Sequence, residues 1–263
     1  MPTAVFRFYA ELNDFLPPSR RQVAFPHTFQ AGATVKDRIE ALGPPHPEVE
    51  LILVDGRPVG FDYQVQHGDR VGVYPPFHRL PLPEGSPMLR PPLPRPVRFV
   101  LDTHLGRLAA YLRMLGFDAL YSNAWDDAAL AHTAAAQGRV LLSRDRGLLK
   151  RSVVVHGYCL RSLDPTAQLM EVLHRYALGP EIAPFHRCLS CNGVMEPVAK
   201  EAVLEQLEPL TRLYYDEFHR CTQCGQVYWR GSHHARMERF LEEVLHRLNG
   251  PNLAGPRQGH YNP

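Results

Sequence analysis

Two Cys-x-x-Cys pairs, Cys188/Cys191 and Cys221/Cys224, constrain this chain more than any other feature, since four thiolates at that spacing form the donor set of a tetrahedral Zn²⁺ site. The 29 residues between the pairs must fold back so that both meet one ion. Phe-His-Arg stands directly before each pair, at 185–187 and 218–220, which reads as two matching knuckles. Gly225, after the last cysteine, is expected to let the backbone pass close to the sulfur. Four cysteines complete the shell, so His186 and His219 are expected outside it. The zinc is then structural rather than catalytic, and it contributes directly to folding. The competing disulfide reading needs an oxidising compartment. Met1 to Ala10 alternates apolar and polar residues and lacks the pattern of a secretory signal, so a reducing, cytoplasmic setting is expected. The fifth cysteine, Cys159, lies in an apolar stretch and reads as a buried thiol.

The rest of the chain reads as several short segments. Nine prolines fall between Pro75 and Pro96, removing amide donors and favouring extended backbone, so residues 78–96 are read as a linker. Before it, residues 1–77 show short strands around one helical piece near Val35 to Leu42, with Leu51-Ile52-Leu53-Val54 running into Asp55-Gly56, the pattern of a small β-grasp unit. After it, residues 97–182 alternate strand and helix, residues 183–250 hold the cysteines and a terminal helix, and residues 251–263 read as a loose tail. In the terminal helix Ser232 is the expected cap, and Phe240, Leu241, Val244, Leu245 and Leu248 form the apolar stripe. The whole is an α/β chain with a zinc ribbon. A hydrophobic fraction of 44%, with no apolar run of about 18 residues, predicts a soluble protein without a membrane partner. The formal charge of +2 is too close to neutral to announce a nucleic-acid binder, so local clustering has to carry that claim.

Acids recur at strand ends between residues 97 and 145. Val97 to Leu101 is an apolar strand ending at Asp102, and Leu105, Leu108, Ala109, Leu112 and Leu115 follow at helical spacing up to Gly116. Phe117 to Tyr121 is a second strand, after which Asp126-Asp127 open a helix that Gly138 closes. Arg139 to Ser143 is a third strand, followed at once by Asp145. In a parallel sheet these corners face one crevice, the place where open α/β sheets bind ligands. Clustered carboxylates repel unless a cation neutralises them, and Mg²⁺ or Mn²⁺ favours oxygen donors. Such an ion can polarise a phosphodiester and activate a water. Taken singly, each acid also fits a helix cap. Either Asp126 or Asp127 can be the second acid, and Asp164, before Pro165, is a further candidate that also fits an N-cap. Arg107, Arg144, Arg146, Lys150 and Arg151, with Arg113, lie near the same corners and are expected to meet RNA phosphates. Tyr111 and Tyr121 could stack on bases or serve as core.

Two resemblances give these patterns a family. Val54-Asp55-Gly56-Arg57-Pro58-Val59 and Gly68-Asp69-Arg70-Val71-Gly72-Val73-Tyr74 resemble ubiquitin-like sulfur carriers. Here, however, Tyr74 runs into Pro75-Pro76-Phe77 where a carrier has its free Gly-Gly end. That points to a binding or packing module, with a protein partner as one possible use. Phe99-Val100-Leu101-Asp102, Leu105-Gly106-Arg107-Leu108-Ala109, Asp126-Asp127-Ala128-Ala129-Leu130 and Gly138-Arg139-Val140-Leu141-Leu142-Ser143-Arg144-Asp145 resemble the PIN-like RNase family named for the C-terminal domain of a mutator exoribonuclease. That family usually has Thr where this chain has Ser143. The resemblance implies a metal-dependent ribonuclease with Asp102, Asp127 and Asp145 as the Mg²⁺ or Mn²⁺ ligands. The alternative is an inactive RNA-binding module or adaptor. RNA target, cleavage mode, metal preference and oligomeric state are not written in the sequence.

Overall fold

Alternation of buried and exposed residues builds the N-terminal sheet. In strand β1 (Thr3–Phe8), Ala4, Phe6 and Phe8 are buried while Arg7 faces out. Strand β2 (Phe25–Thr28) pairs with it antiparallel. Helix α1 (Val35–Leu42) starts at a capping box in which the Thr34 side chain accepts from the Asp37 amide and Asp37 accepts from the Thr34 amide. Its buried residues Val35, Ile39 and Leu42 lie on one stripe. Strands β3 (Leu51–Val54), β4 (Arg57–Pro58) and β5 (Arg70–Tyr74) complete a five-stranded sheet in the order β2-β1-β5-β3-β4, with β5 parallel to β1. This is the mixed β-grasp expected of residues 1–77. The computed structural model describes residues 1–77 and 81–250. The loose tail expected at 251–263, and residues 78–80 of the expected linker, lie outside the described residues.

The second half follows the alternation read from the sequence. Strand β6 (Phe99–Leu101) leads through a 3-10 turn at Thr103–Leu105 into helix α2 (Gly106–Met114). Next come β7 (Ala119–Tyr121), α3 (Asp127–Gln137), β8 (Val140–Ser143), the four-residue helix α4 (Arg146–Leu149), β9 (Gly157–Cys159) and α5 (Pro165–Arg175). Strands β6, β8 and β9 are parallel neighbours, and all their residues are buried. Coverage of both sheet faces by crossover helices is the usual reason for burial throughout such strands rather than on alternate residues. Beyond them lie β10 (Met195–Val198), α6 (Pro209–Tyr214), β11 (Phe218–Cys221), β12 (Val227–Trp229) and α7 (Ser232–Asn249). Strands β10, β11 and β12 form an antiparallel sheet. Gly231 occupies the cap position of α7 without a side-chain bond, so Ser232 is its first residue and not the cap expected of it.

The chain divides into two compact units, one made of Met1–His104 and Tyr121–Arg161, the other of Leu105–Leu120 and the chain from Ser162 onward. Within the first unit the β-grasp module is bolted to strand β9. Glu48, fully buried, accepts the Cys159 amide at Oε1 (2.7 Å) and the Arg161 guanidinium at both oxygens (2.8 and 3.1 Å). His46 donates from Nε2 to the Val154 carbonyl at 2.7 Å, and Lys150 donates to the Glu40 carbonyl at 2.5 Å. Arg90 secures the same region by donating to the Val49 carbonyl (2.5 Å) and pairing with Glu50.

Two stability predictions follow from this packing. Glu48→Gln leaves the Arg161 charge without its buried partner and should destabilise the protein by about 3–5 kcal/mol, measured by urea unfolding. Burial, reinforced by Arg90, pushes His156 down to about 4 from its ordinary value near 6.5. The folded state therefore holds this ring neutral while the unfolded chain takes up a proton. Its contribution is complete above about pH 6.5 and is lost as pH falls towards 4, up to about 3 kcal/mol in all. His156→Gln should flatten the pH dependence of unfolding in that window, and an unchanged slope would refute the assignment.

Candidate active site and metal centre

Parallel register brings the ends of β6 and β8 side by side, with Leu101 opposite Leu142 and the Asp102 amide donating to the Leu142 carbonyl at 3.1 Å. Ser143, wholly buried at the end of β8, is the hinge of the corner. Its hydroxyl donates to Asp102 Oδ2 at 2.7 Å and accepts the Asp145 amide at 2.8 Å. Asp102 Oδ1 accepts the Thr103 amide at 2.6 Å and its hydroxyl at 3.3 Å. Asp102 is therefore fixed from both sides without capping helix α2, whose cap position is Leu105. Asp145 does cap its helix, accepting the Gly147 amide at Oδ1 (2.6 Å).

The other candidate acids are placed differently. Asp126 caps α3 through the Ala129 amide at 2.7 Å, whereas Asp127 is exposed in the first turn with Oδ2 3.9 Å from Arg151. Asp164 belongs to the second unit and caps α5 through the Ala167 amide at 2.8 Å. Among the described residues, the set of three or more potential ligand side chains close enough to hold one ion is the cysteine set, not the aspartates.

The basic residues expected around the corner have divided roles. Arg144 and, in the second unit, Arg107 are exposed. Arg146 lies over the Phe15 ring, 5.1 Å from its centroid, and reaches the Phe15 carbonyl at 3.3 Å. Lys150 points to Glu40, and burial lowers its affinity for a proton. Arg113 is buried rather than on a rim: it donates to the carbonyls of Ala119 (2.9 Å), Leu189 (3.0 Å) and Ser190 (2.8 Å), and so props the first cysteine knuckle. Tyr111 packs on Phe240 with ring centroids 4.6 Å apart, and the Tyr121 hydroxyl donates to the Thr103 carbonyl at 2.6 Å.

In the second unit the four cysteines converge, with all four sulfurs within 4.8 Å of one another. Sγ of Cys188 is 3.7 Å from that of Cys224, and Cys191 is 3.3 Å from Cys221, near the roughly 3.8 Å edge of a tetrahedron with 2.3 Å metal–sulfur bonds. The Gly193 and Gln223 amides each point at a sulfur at 3.4 Å, offering donors to thiolate charge. A Cβ on Gly193 would lie 2.7 Å from Cys221 Sγ, so this glycine is what lets the backbone approach the cluster. Gly225, expected to play that part, has nothing within 4 Å in that direction, and its need is the positive φ of 74°. Beside the cluster a cavity of about 640 Å³ is lined by Phe185, Arg187, His219, Tyr228, Trp229 and Arg230 among others.

A family model described as the Mut7-C RNAse domain matches residues 97–241, more than half of the chain, and one described as Mut7-C ubiquitin matches residues 1–81. The chain belongs to the Mut7-C RNAse domain family. Two solved structures are similar to its N-terminal part. One is the crystal structure of H. volcanii small archaeal modifier protein 1, at 16% identity. The other is a putative molybdopterin converting factor, subunit 1, from Pyrococcus furiosus, at 23%. Each match covers 29% of this chain and all of the other, with a TM-score of 0.24. Among curated proteins none matches this chain.

Three residues of this Mut7-C chain shape the surroundings of the two candidate sites without standing out as functional in the sequence. Ser143 was visible only as a departure from the family's Thr, Gly193 only as one glycine in a turn, and Glu48 not at all. A test of the second is direct. Gly193→Ala should destabilise the cysteine lobe by about 1–3 kcal/mol through the clash at Cys221 and speed metal release to a chromogenic chelator.

Proposed function

We propose that the chain is a metal-dependent ribonuclease that hydrolyses RNA phosphodiester bonds at the Asp102/Asp145 corner. The observation that carries this reading is the buried hydroxyl Ser143 Oγ, which donates to the Asp102 carboxylate and accepts the backbone amide of Asp145, so that both residues are fixed at the ends of neighbouring parallel strands. Mg²⁺ and Mn²⁺ keep several waters and commonly take only one or two carboxylates from the protein, so a water-rich ion suits two fixed acids better than a closed cage does. Such an ion supplies Lewis-acid activation of the phosphodiester and a lowered pKa for an attacking water. The chain's own residues do the positioning. Thr103 and Ser143 orient Asp102, and the Gly147 amide orients Asp145, leaving its second oxygen as the one to offer. Asp127, exposed in the first turn of α3, is proposed as the third acid that would face such an ion. Asp126 and Asp164 keep their capping roles.

Zn²⁺ is proposed at Cys188, Cys191, Cys221 and Cys224 as a structural ion, supported by the sulfur spacing and by the complete thiolate shell. A reducing, cytoplasmic compartment suits four free thiols. RNA is proposed to meet Arg144 and Arg151 near the acids. The cavity of the second unit offers Tyr228 and Trp229 for stacking, with Arg187 and Arg230 for phosphates.

A second reading, an RNA-binding module without turnover, is favoured by the capping bonds of Asp126 and Asp145 and by the absence of a three-acid cluster among the described residues. The two readings part on one experiment. Asp102→Asn and Asp145→Asn should each abolish Mn²⁺-dependent cleavage of single-stranded RNA, by at least about 100-fold, while the far-ultraviolet spectrum and melting temperature hold. Wild-type protein that binds RNA but yields no products with Mg²⁺ or Mn²⁺ would establish the second reading instead.

A further inference from the structure

The turn that carries Asp145 is poorly supported by its own local structure. Helix α4 has four residues, too few for a helix to hold by itself. Residues 144–147 are exposed. Its anchors are the buried Leu148 and Leu149 and, in addition, side chains that reach the β-grasp module. On one flank Arg146, next to Asp145 in the chain, rests on the Phe15 ring and carbonyl, and Lys150, which closes the helix, is tied to the Glu40 carbonyl. On the other flank Glu48 holds the Cys159 amide and Arg161, and Arg161 lies over the same Phe15 ring, 4.7 Å from its centroid. Cys159 is the register partner of Ser143, and the Leu160 amide donates to the Ser143 carbonyl at 2.9 Å. Phe15 thus takes one cation from the Asp145 turn and another from the segment after β9.

We propose that the ubiquitin-like module acts in cis as the brace of the catalytic corner, with Phe15 and Glu48 as positioning residues that hold the Asp145 turn in its ion-binding geometry. Two of the cations that the sequence offered to RNA, Arg146 and Lys150, are committed to the module. This role needs no free Gly-Gly end, and so it accounts for a β-grasp domain whose last strand runs into Pro75-Pro76. It rests on the nuclease reading for its catalytic consequence but not for the brace itself.

The test uses the full, zinc-loaded chain. Phe15→Leu keeps apolar volume but removes the ring face that both guanidiniums use, and Phe15→Tyr keeps the face. In Phe15→Leu, Mn²⁺ affinity measured by calorimetry should fall about tenfold, the scale typical of lost support behind a metal ligand. Amide exchange across residues 145–149 should quicken, and kcat for RNA should drop while KM stays within about twofold. Phe15→Tyr should restore all three. Unchanged Mn²⁺ affinity and exchange in Phe15→Leu would overturn the brace, as would a wild type that binds no Mn²⁺. Should Phe15→Leu fail to fold, Arg146→Gln takes its place. A raised KM with unchanged kcat in that variant would mark Arg146 as an RNA contact and sink the proposal. Wild-type protein that binds Mn²⁺ and shows the exchange effect but cuts no RNA would remove the nuclease reading and leave the brace standing.

Discussion

A carboxylate with no exposed surface sets the terms for the first unit. Transferring Glu48 out of water is expensive, and the cost is offset only if its oxygens are fully engaged, here by the Arg161 guanidinium and the Cys159 amide. That requirement fixes where the turn His46–Glu48 sits against strand β9, since a shift of one residue would leave the buried Glu48 charge unmatched. Strand β9 in turn fixes β8 through the Ser143–Cys159 register, and Ser143 links the Asp102 carboxylate to the backbone amide of Asp145. The path from the β-grasp module to the candidate catalytic corner is therefore a short run of bonds, each with a measurable length. Hydrophobic burial makes the unit stable, but it is non-directional. The buried pair supplies the direction.

The cysteine lobe solves a related problem with different chemistry. Four thiolates within 4.8 Å repel one another, and a tetrahedral cation removes the conflict. The surroundings are arranged to suit that charge. The Gly193 and Gln223 amides point at sulfurs, and the buried Arg113 guanidinium ties down the carbonyls of Leu189 and Ser190 inside the first knuckle. An arginine on helix α2 thus organises a loop 76 residues further on. The buried apolar residues of this lobe centre on Val203, Leu207, Phe218 and Val227, a small core beside which such contacts, and a metal if one is bound, would weigh heavily.

What could be read from the sequence was whatever repeats locally. Helix α1 falls on the Val35 to Leu42 span that its apolar spacing indicates, because a capping box at one end and Gly43 at the other punctuate it. Strands β6 and β8, helices α2 and α3 and the four clustered cysteines were legible for the same reason, whereas the short helix α4 was not. Strand β9 was not, because Gly157-Tyr158-Cys159 has neither alternation nor length, and its partner lies in another part of the chain. Glu48 directly follows Pro44-Pro45-His46-Pro47, a proline-rich stretch with no apolar periodicity, although all of it is buried. The basic residues misled for a related reason. A run such as Arg144-Asp145-Arg146 announces charge but not direction, and whether a guanidinium faces solvent or an aromatic ring is decided by a module more than a hundred residues away.

The capping bonds at the acidic corner bear on how such a site can persist without its ion. A carboxylate that accepts a backbone amide has its position and rotamer set by the chain, not by the cation, and the amide partly compensates its charge. Asp145 on Gly147, and Asp102 on Thr103, are both in this state. Capping and metal binding are thus compatible uses of the same residue, because a carboxylate has more lone pairs than one amide can use. The choice between them is read from the second oxygen. Asp102 directs its second oxygen to Ser143 and, through that hydroxyl, to the Asp145 turn, whereas Asp126 accepts the Ala129 amide beside an exposed helix start. Asp102 is thus linked to the chain segment that carries a second acid, whereas Asp126 is linked only to its own helix. On that ground the proposed role of Asp102 and Asp145 draws on backbone placement that Asp126 does not share.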